Sequence, residues 1–370
     1  MPERRVNVLL GTRKGAYIAR SDRHRKNWKI EGPYQEGNEV FHVAPDPRHP
    51  GHVYSLANNS FFGPSVYRST DHGRHWKEIA TPGLDRRRGR KVSSGGNRRP
   101  IPIENLWHFE PGPASAPRQL YIGVAPHLLF RSDDAGRSWT SLKSVANHPT
   151  RKRWMPGAGG ACLHTVVLDP KRPQRMYIGL SAAGTFRSDD GGESWVPRNR
   201  GVETPFLPVR FPEVGQCVHH FALDPHDPKV AYRQDHGGIY VSEDSMDHWE
   251  RVGSQLDSDF GFVVATAPAL PGGAIFVPLS GETRTVSGRK AQIQWYDRRT
   301  GNFRPMIRHS PFAGDFGTHR EGLATDQLDP AGIYLGTTTG NLIYSPTGGK
   351  SWGSIPFQFP AIHSVSVSVD

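Results

Sequence analysis

The sequence predicts an all-β fold: a seven-bladed β-propeller with four-stranded blades, whose N- and C-terminal segments complete one blade together. Three observations predict it: an octad that recurs along the chain, a strand phrase that precedes each copy, and a composition poor in helix-compatible stretches. Gly 41 and Pro 32 make up about a fifth of the 370 residues, which leaves little room for long helices and favours short strands joined by turns. Phe 17, Tyr 11 and Trp 9 supply the apolar mass for a sizeable core.

The octad carries Ser, Asp, Gly and Trp at its first, third, fifth and eighth positions. Full copies span 132–139 and 188–195, and 69–76 keeps Ser69, Asp71, Gly73 and Trp76. The copy at 242–249 has Met246 for the glycine, and the copy at 345–352 has Thr347 for the aspartate. The copy at 21–28 retains only Ser21 and Trp28, and 296–303 is a remnant placed by spacing. Starts at 21, 69, 132, 188, 242, 296 and 345 define seven units of about fifty residues. Ser and Asp side chains bond to nearby backbone, Gly supplies a conformation closed to other residues, and Trp anchors the turn.

Upstream of the turn lies a three-strand phrase, clear in 164–170, 176–180 and 184–187, and a fourth strand follows at 195–198. The first unit has strands two, three and four but no first strand. The last octad is followed by 362–370, an alternating segment that reads as the missing innermost strand. One propeller domain over 1–370 follows. Its blade 1 comes from 7–33 plus 362–370, blade 2 from 40–80, blade 3 from 106–143, blade 4 from 162–198, blade 5 from 217–254, blade 6 from 260–308 and blade 7 from 321–357.

Composition excludes other classes. The apolar stretch 260–270 is short and contains Pro268, so no membrane span is expected. Residues 6–10 are too short an apolar run for a signal peptide, and two cysteines make no disulfide framework, so a cytoplasmic setting is expected.

The octad and blade pattern resemble the BNR or Asp-box repeat proteins, a group that includes sialidases, sortilin-type receptors, xyloglucanase-type glycosidases and photosystem assembly factors. The chain looks most like bacterial sialidase-like, BNR-repeat glycosyl hydrolases, with phrases such as Pro156-Gly157-Ala158-Gly159-Gly160 leading into Cys162-Leu163-His164. The resemblance implies a glycoside hydrolase. It places the octads on the face opposite the usual site of such propellers. Sialidases have six blades and an Arg-Ile-Pro motif before the first box, whereas the nearest phrase here, Arg98-Arg99-Pro100-Ile101-Pro102, follows the second. No sialidase catalytic residue is therefore carried over.

On the opposite face, the connections between blades are rich in functional groups. His42, His108, His164, His219, His220, His319 and His363 stand at or before the innermost strands. Registering blades 4 and 5 on their Leu-Asp-Pro phrases superposes Cys162-x-His164 on Cys217-x-His219. Converging neutral imidazoles suit one divalent metal ion, with His164, His219, His108 and His363 as candidate ligands and either cysteine able to join. The alternative is packing between blades. Asp259 and Asp315 occupy comparable places in successive blades and, with Glu104, Glu213 and Glu321, offer the carboxylate pair that glycoside hydrolysis needs. The candidate catalytic set is His164, His219, Asp259, Asp315, Glu104 and Glu321. Substrate contacts are expected from His42, His108, His220, His236, His319, Arg99 and Arg153.

The net charge is +11, and seven basic residues between 86 and 99 account for much of it; Arg151, Lys152 and Arg153 form a second knot. Both should favour a small anionic ligand or an acidic protein partner. No nucleotide cofactor is expected, and the lack of basic and aromatic interleaving argues against nucleic acid. Three readings follow: a hydrolase acting on a small anionic, carbohydrate-like substrate at the channel mouth; a non-catalytic scaffold or assembly factor; and a uronate-type lyase.

Overall fold

Each octad closes the hairpin between the third and fourth strands of a blade, and its side chains show how. The structure is a computed structural model that describes residues 5–85, 90–91, 102–286, 293–307 and 315–370. In blade 2, Ser69 Oγ donates to Asp71 Oδ1 at 2.7 Å and accepts the Gly73 N–H at 2.9 Å, while Asp71 Oδ1 accepts the N–H groups of Arg74 and His75. Ser132 with Asp134, Ser188 with Asp190, and Ser242 with Asp244 repeat this pattern. The fifth position lies at positive φ in each: 82° at Gly73, 80° at Gly136, 94° at Gly192 and 87° at Gly349. Met246 holds the same conformation at 69°, so the turn survives loss of its glycine. Thr347 replaces the aspartate by accepting the Ser351 N–H at 2.8 Å through its hydroxyl.

The octad tryptophans join blades. Trp139, Trp249 and Trp352 donate their indole N–H to Ala80, Arg198 and Met306 carbonyls at 2.8, 2.9 and 2.9 Å, each on the outer edge of the preceding blade. At the degenerate first octad, Arg25 takes the positive-φ position at 57°. Its buried guanidinium forms a bidentate pair with Asp326 (2.8 and 2.7 Å) and bonds to the Pro330 and Pro346 carbonyls, tying blade 1 to blade 7. In blade 6 the remnant placed by spacing falls on the corresponding hairpin but carries none of the octad's four residues. Gln294–Asp297 and Asn302–Pro305 form a short hairpin in which Tyr296 and Phe303 pair directly.

Seven four-stranded antiparallel sheets result, and among the described residues the one α-helix is the single turn Lys143–Ala146. The innermost strands are Ile362–Val369, Glu39–Pro45, Asn105–Pro111, Leu163–Leu168, Val218–Leu223, Gly261–Ala267 and Leu323–Thr325, for blades 1 to 7. Ile362–Val369 pairs with Arg5–Thr12, Val6 opposite Val369 and Leu10 opposite Val365, so the two chain ends close the ring. The core lies between blades. At the closing seam Val6, Leu10, Tyr334, Leu342, Phe359 and Ile362 pack together, all buried. Part of the basic stretch pairs as a ribbon, Leu84–Asp85 with Arg90–Lys91. The rest of it, including Arg99, lies outside the described residues.

Candidate functional site

Where the innermost strands begin, at the mouth end of the channel, blades 1 to 5 share a bulge. In blades 2 to 5 the register skips at Phe41, Trp107, His164 and His219, and in blade 1 at His363. A bulge re-aims the side chain it carries. The bulged residues form an upper tier: Phe41 packs on Trp107 and His363, with ring centroids 4.6 and 5.2 Å apart, and His219 stacks on Phe262 at 4.6 Å. The next residues, His42, His108, Thr165 and His220, form a lower tier. In blade 7 the lower position is Gly322, which has no side chain, and the Glu321 carboxylate reaches the lower histidines.

The lower tier is closed across the channel. His108 Nδ1, from blade 3, lies 3.0 Å from Glu321 Oε1 of blade 7, and its Nε2 faces the Val166 carbonyl at 3.2 Å and Glu110 Oε2 at 3.6 Å. Both ring nitrogens face acceptors, so the ring is an imidazolium. Burial opposes that charge, but Glu321 and Glu110 outweigh it and push His108 up to about 10. Burial also works against the Glu321 carboxylate, yet His220 and His108 hold it well below the usual carboxylate range. Burial keeps Glu110 raised. His42 stacks on His108 at 4.7 Å and accepts the Phe109 N–H on Nδ1 at 3.0 Å; burial and the His108 charge push it down to about 3. His220 meets Thr165 Oγ1 at 3.3 Å and is lowered by burial.

The upper tier is different. Arg320, also from blade 7, reaches across the mouth to the Trp107 ring of blade 3, 5.9 Å from its centroid. No carboxylate lies within ion-pair distance of it among the described residues, and its buried Nε is unpartnered. Burial and the Arg320 charge hold His164 and His219 well below the ordinary histidine range. Beside them, His363 Nε2 lies 2.9 Å from Glu39 Oε1 and its ring lies 4.7 Å from that of His319. Burial and the neighbouring His363 push His319 down to about 4, so it is a neutral base at pH 7. Cys217, His219 and His236 converge nearby, their ligand atoms within 4.8 Å of one another. Burial, then Asp235, pushes the Cys217 thiol up to about 11.

Several expected residues have other tasks. Asp259 is held by Arg251 at 2.9 Å and packs against the Gly238 and Gly253 backbone, so it closes a turn instead of facing the channel. Glu104 is exposed, and its N–H donates to the Ala125 carbonyl. Asp315 is exposed just before blade 7. Arg153 pairs with Glu213 at the surface. The four expected metal ligands are not brought to one centre: His108 has no free lone pair, His363 faces Glu39, and His164 Nδ1 meets Thr165 Oγ1 at 2.9 Å. Only His219 belongs to a convergent set that keeps a lone pair. His42 does not, because Nδ1 accepts a backbone N–H and the proton sits on Nε2.

Sequence reasoning missed Arg320 and the role of Glu39. A signal for the first existed. Asp46, Asp169, Asp224 and Asp326 each donate their backbone N–H to the carbonyl six residues on, and registering on them puts Glu321 level with His164 and His219, with Arg320 at the mouth before it.

The chain is similar to a xyloglucanase from Paenibacillus sp, 28% identical over 207 residues, covering 50% of this chain and 18% of that protein. It therefore spans less than a fifth of that relative. Among solved structures, an ancestral GH74 enzyme matches with a TM-score of 0.56 at 13% identity, over 89% of this chain and 38% of that one. The periplasmic gluconolactonase of Pseudomonas aeruginosa matches with a TM-score of 0.55 at 15% identity, over 98% and 99% of the two chains. At such identities the structures share the fold. No family model matches the chain.

Proposed function

We propose that the chain is a carbohydrate-active hydrolase that takes a small anionic, sugar-like substrate at the channel mouth, with Arg320 as the anion anchor. The observation that carries this reading is the Arg320 guanidinium, set across the mouth on Trp107 with no carboxylate partner among the described residues. The residue is partly exposed but its Nε is buried without a partner, and an anionic ligand in the mouth would supply the counter-charge that the described residues lack. Glycosidase and lactonase names among the structures that share the fold suit a sugar-like substrate.

The chemistry follows from protonation. Neither mouth carboxylate has the raised pKa of a general acid, since His363 holds Glu39 low and Glu321 is paired with His108. A two-carboxylate mechanism is therefore disfavoured. His319, neutral and set against the Glu39–His363 pair, serves as base. It takes a proton from water as the water oxygen bonds to the electrophilic carbon of a lactone, ester or glycoside. The bond to the leaving oxygen breaks, and that oxygen takes the proton back from the imidazolium.

The test pairs binding with turnover. Titration with sugar acids, their lactones and neutral sugars should show anionic ligands losing at least about tenfold in affinity in Arg320→Ala, with partial retention in Arg320→Lys. Turnover should fall in His319→Ala. Undiminished affinity for anionic sugars in a folded Arg320→Ala variant would defeat the reading. A new unsaturated, ultraviolet-absorbing product would replace hydrolysis by elimination from a uronate.

A second reading has its own observation. Seven of the eight large exposed apolar side chains among the described residues sit on connections of the mouth face: Phe61, Phe62, Met155, Phe206, Val209, Phe211 and Phe357. Phe61 and Phe62 are 89% and 81% exposed. Exposed apolar side chains gathered on one face, with Phe61 and Phe62 in mutual contact, suit an acidic, partly apolar protein partner. Replacing Phe61 and Phe62 by Ser should abolish that association and leave small-ligand binding intact.

A further inference from the structure

We infer that Cys217, His219 and His236 form a binding site for one borderline-soft divalent metal ion of the zinc class, with an open position facing the channel mouth. The site goes beyond the hydrolase reading and stands whether or not the mouth is catalytic.

The backbone assembles the donors before any ion arrives. All three come from blade 5: Cys217 and His219 flank the first residue of the innermost strand, and His236 sits at the hairpin between the second and third strands. Val218 pairs with Asp235, and the His236 N–H donates to the Cys217 carbonyl at 3.0 Å, which fixes the cysteine and the second histidine side by side. The bulge at His219 turns its ring onto the same side.

Protonation selects the donor atoms. His219 Nδ1 lies 2.6 Å from the Gly261 carbonyl, so this nitrogen carries the proton and donates it. Nε2 is left as a lone pair, 3.7 Å from Cys217 Sγ. A backbone carbonyl holding one imidazole nitrogen so that the other can coordinate is the usual outer arrangement of a metal-bound histidine. The spacing also fits. A tetrahedral ion with Zn–S near 2.3 Å and Zn–N near 2.0–2.1 Å has an S···N edge of about 3.6 Å. The third donor lies within 4.8 Å of the others, and the half-buried His236 ring closes the remaining gap by rotating on its hairpin.

The surroundings suit a three-ligand site with an open position. His219 lies against Phe262 and Phe260, and His236 against Phe206 and Phe260, an apolar wall that keeps water off the donors. The unpaired Arg320 guanidinium acts on Cys217 and His219 from the mouth side. Beside the ion, that positive charge would favour an anion or hydroxide in the open position. Asp235, next to Cys217, adds negative charge from behind, although its Oδ2 is engaged by Arg233. The second convergent group, His42, His108 and Glu321, lacks this property, because its histidines have no lone pair to give.

Cobalt(II) is the probe. Metal-freed, reduced protein titrated with Co²⁺ should develop thiolate-to-metal charge-transfer absorption and intense visible d–d bands at one equivalent, both bleached by one equivalent of Zn²⁺. Cys217→Ser should remove the charge-transfer band, and His236→Gln should weaken binding at least about tenfold. Cys162→Ser and His164→Ala should leave the spectrum unchanged. Cys217 and His236 are partly exposed, so their variants test the site without emptying the core, and near-ultraviolet dichroism checks that each is folded. Absence of a charge-transfer band in the parent, or its survival in folded Cys217→Ser, overturns the site. Because the readout is spectroscopic, a failed hydrolase assay leaves it untouched.

Discussion

The two faces of this propeller are built from opposite uses of polar groups. On the octad face, Ser, Asp and backbone partners within eight residues satisfy one another, and the pattern recurs in blades 2 to 5. On the mouth face, charged groups meet across the ring, His108 with Glu321 and Arg320 with Trp107, and buried atoms such as Arg320 Nε, His164 Nε2 and Gln216 Oε1 have no partner among the described residues. The octad face spends its polar groups on stability. The mouth face leaves them poised for something else, at a cost the rest of the ring absorbs. The degenerate first octad shows the boundary: Ser21 Oγ and Trp28 Nε1 are unpartnered there, and Arg25 with Asp326 takes over the seam.

The largest expected effect separates the faces by pH. His42, His127 and His319 sit on the mouth side with pKa values pushed down by burial to about 3, 4 and 4. Below 6.5 the unfolded chain takes up protons that these folded groups refuse, so stability falls as pH drops toward the folded values. Each group contributes about 1.4 kcal/mol per pH unit in that window. The His108–Glu321 pair runs the other way on its histidine side: its support is complete below 6.5 and fades as pH rises toward 10. Urea midpoints should therefore decline steeply from pH 6.5 to 4.5 and gently above 6.5. A flat profile between 6.5 and 5 would show that the mouth histidines are not buried neutral.

Next in size is the seam. Arg25→Ala or Asp326→Ala leaves a buried charge alone and should cost about 3–5 kcal/mol in chemical denaturation. An effect below about 1 kcal/mol would mean that the Ile362–Val369 closure alone holds the ring.

A smaller effect tests the worn octad of blade 5. Met246 occupies a positive-φ position that glycine prefers, and Met246→Gly relieves about 1 kcal/mol of backbone strain. Its side chain is fully buried with Trp249 and Tyr177, and losing it costs about 2–5 kcal/mol. Burial wins, so the variant should be less stable than the parent despite restoring the consensus residue. A more stable variant would show that the turn, and not the packing, limits this blade.

The same contrast explains what the sequence revealed. An octad is local: its donors and acceptors lie within eight residues, so seven units and their closure by 362–370 could be read directly. The mouth is not local. His108 and Glu321 are 213 residues apart, and which histidine faces which tier depends on a bulge that residue types do not announce. Asp259 read as a catalytic partner of Asp315 because the two occupy comparable places in successive blades, yet Arg251, eight residues earlier, decides its role. Cys217 and His219 were visible as a pair, but His236 joins them only through the Val218–Asp235 register.

The smallest expected change in stability is the one that sharpens the comparison most. Arg320 makes no ion pair among the described residues, its Nε is unpartnered, and its main contact is the face of Trp107. Arg320→Met keeps the length and apolar contact while removing a charge that has no ion-pair partner among the described residues, which should leave stability within about 0.5 kcal/mol of the parent. Relief of the Arg320 charge should also let His164 and His219 protonate more readily, so the acid limb of the stability profile should shift to lower pH. Equal stability with lost anion binding would mark Arg320 as a residue kept for a ligand. A loss of 2 kcal/mol or more, which is roughly what removing a hydrogen-bonded charged group costs, would instead make it part of the scaffold and erase the difference between the two faces.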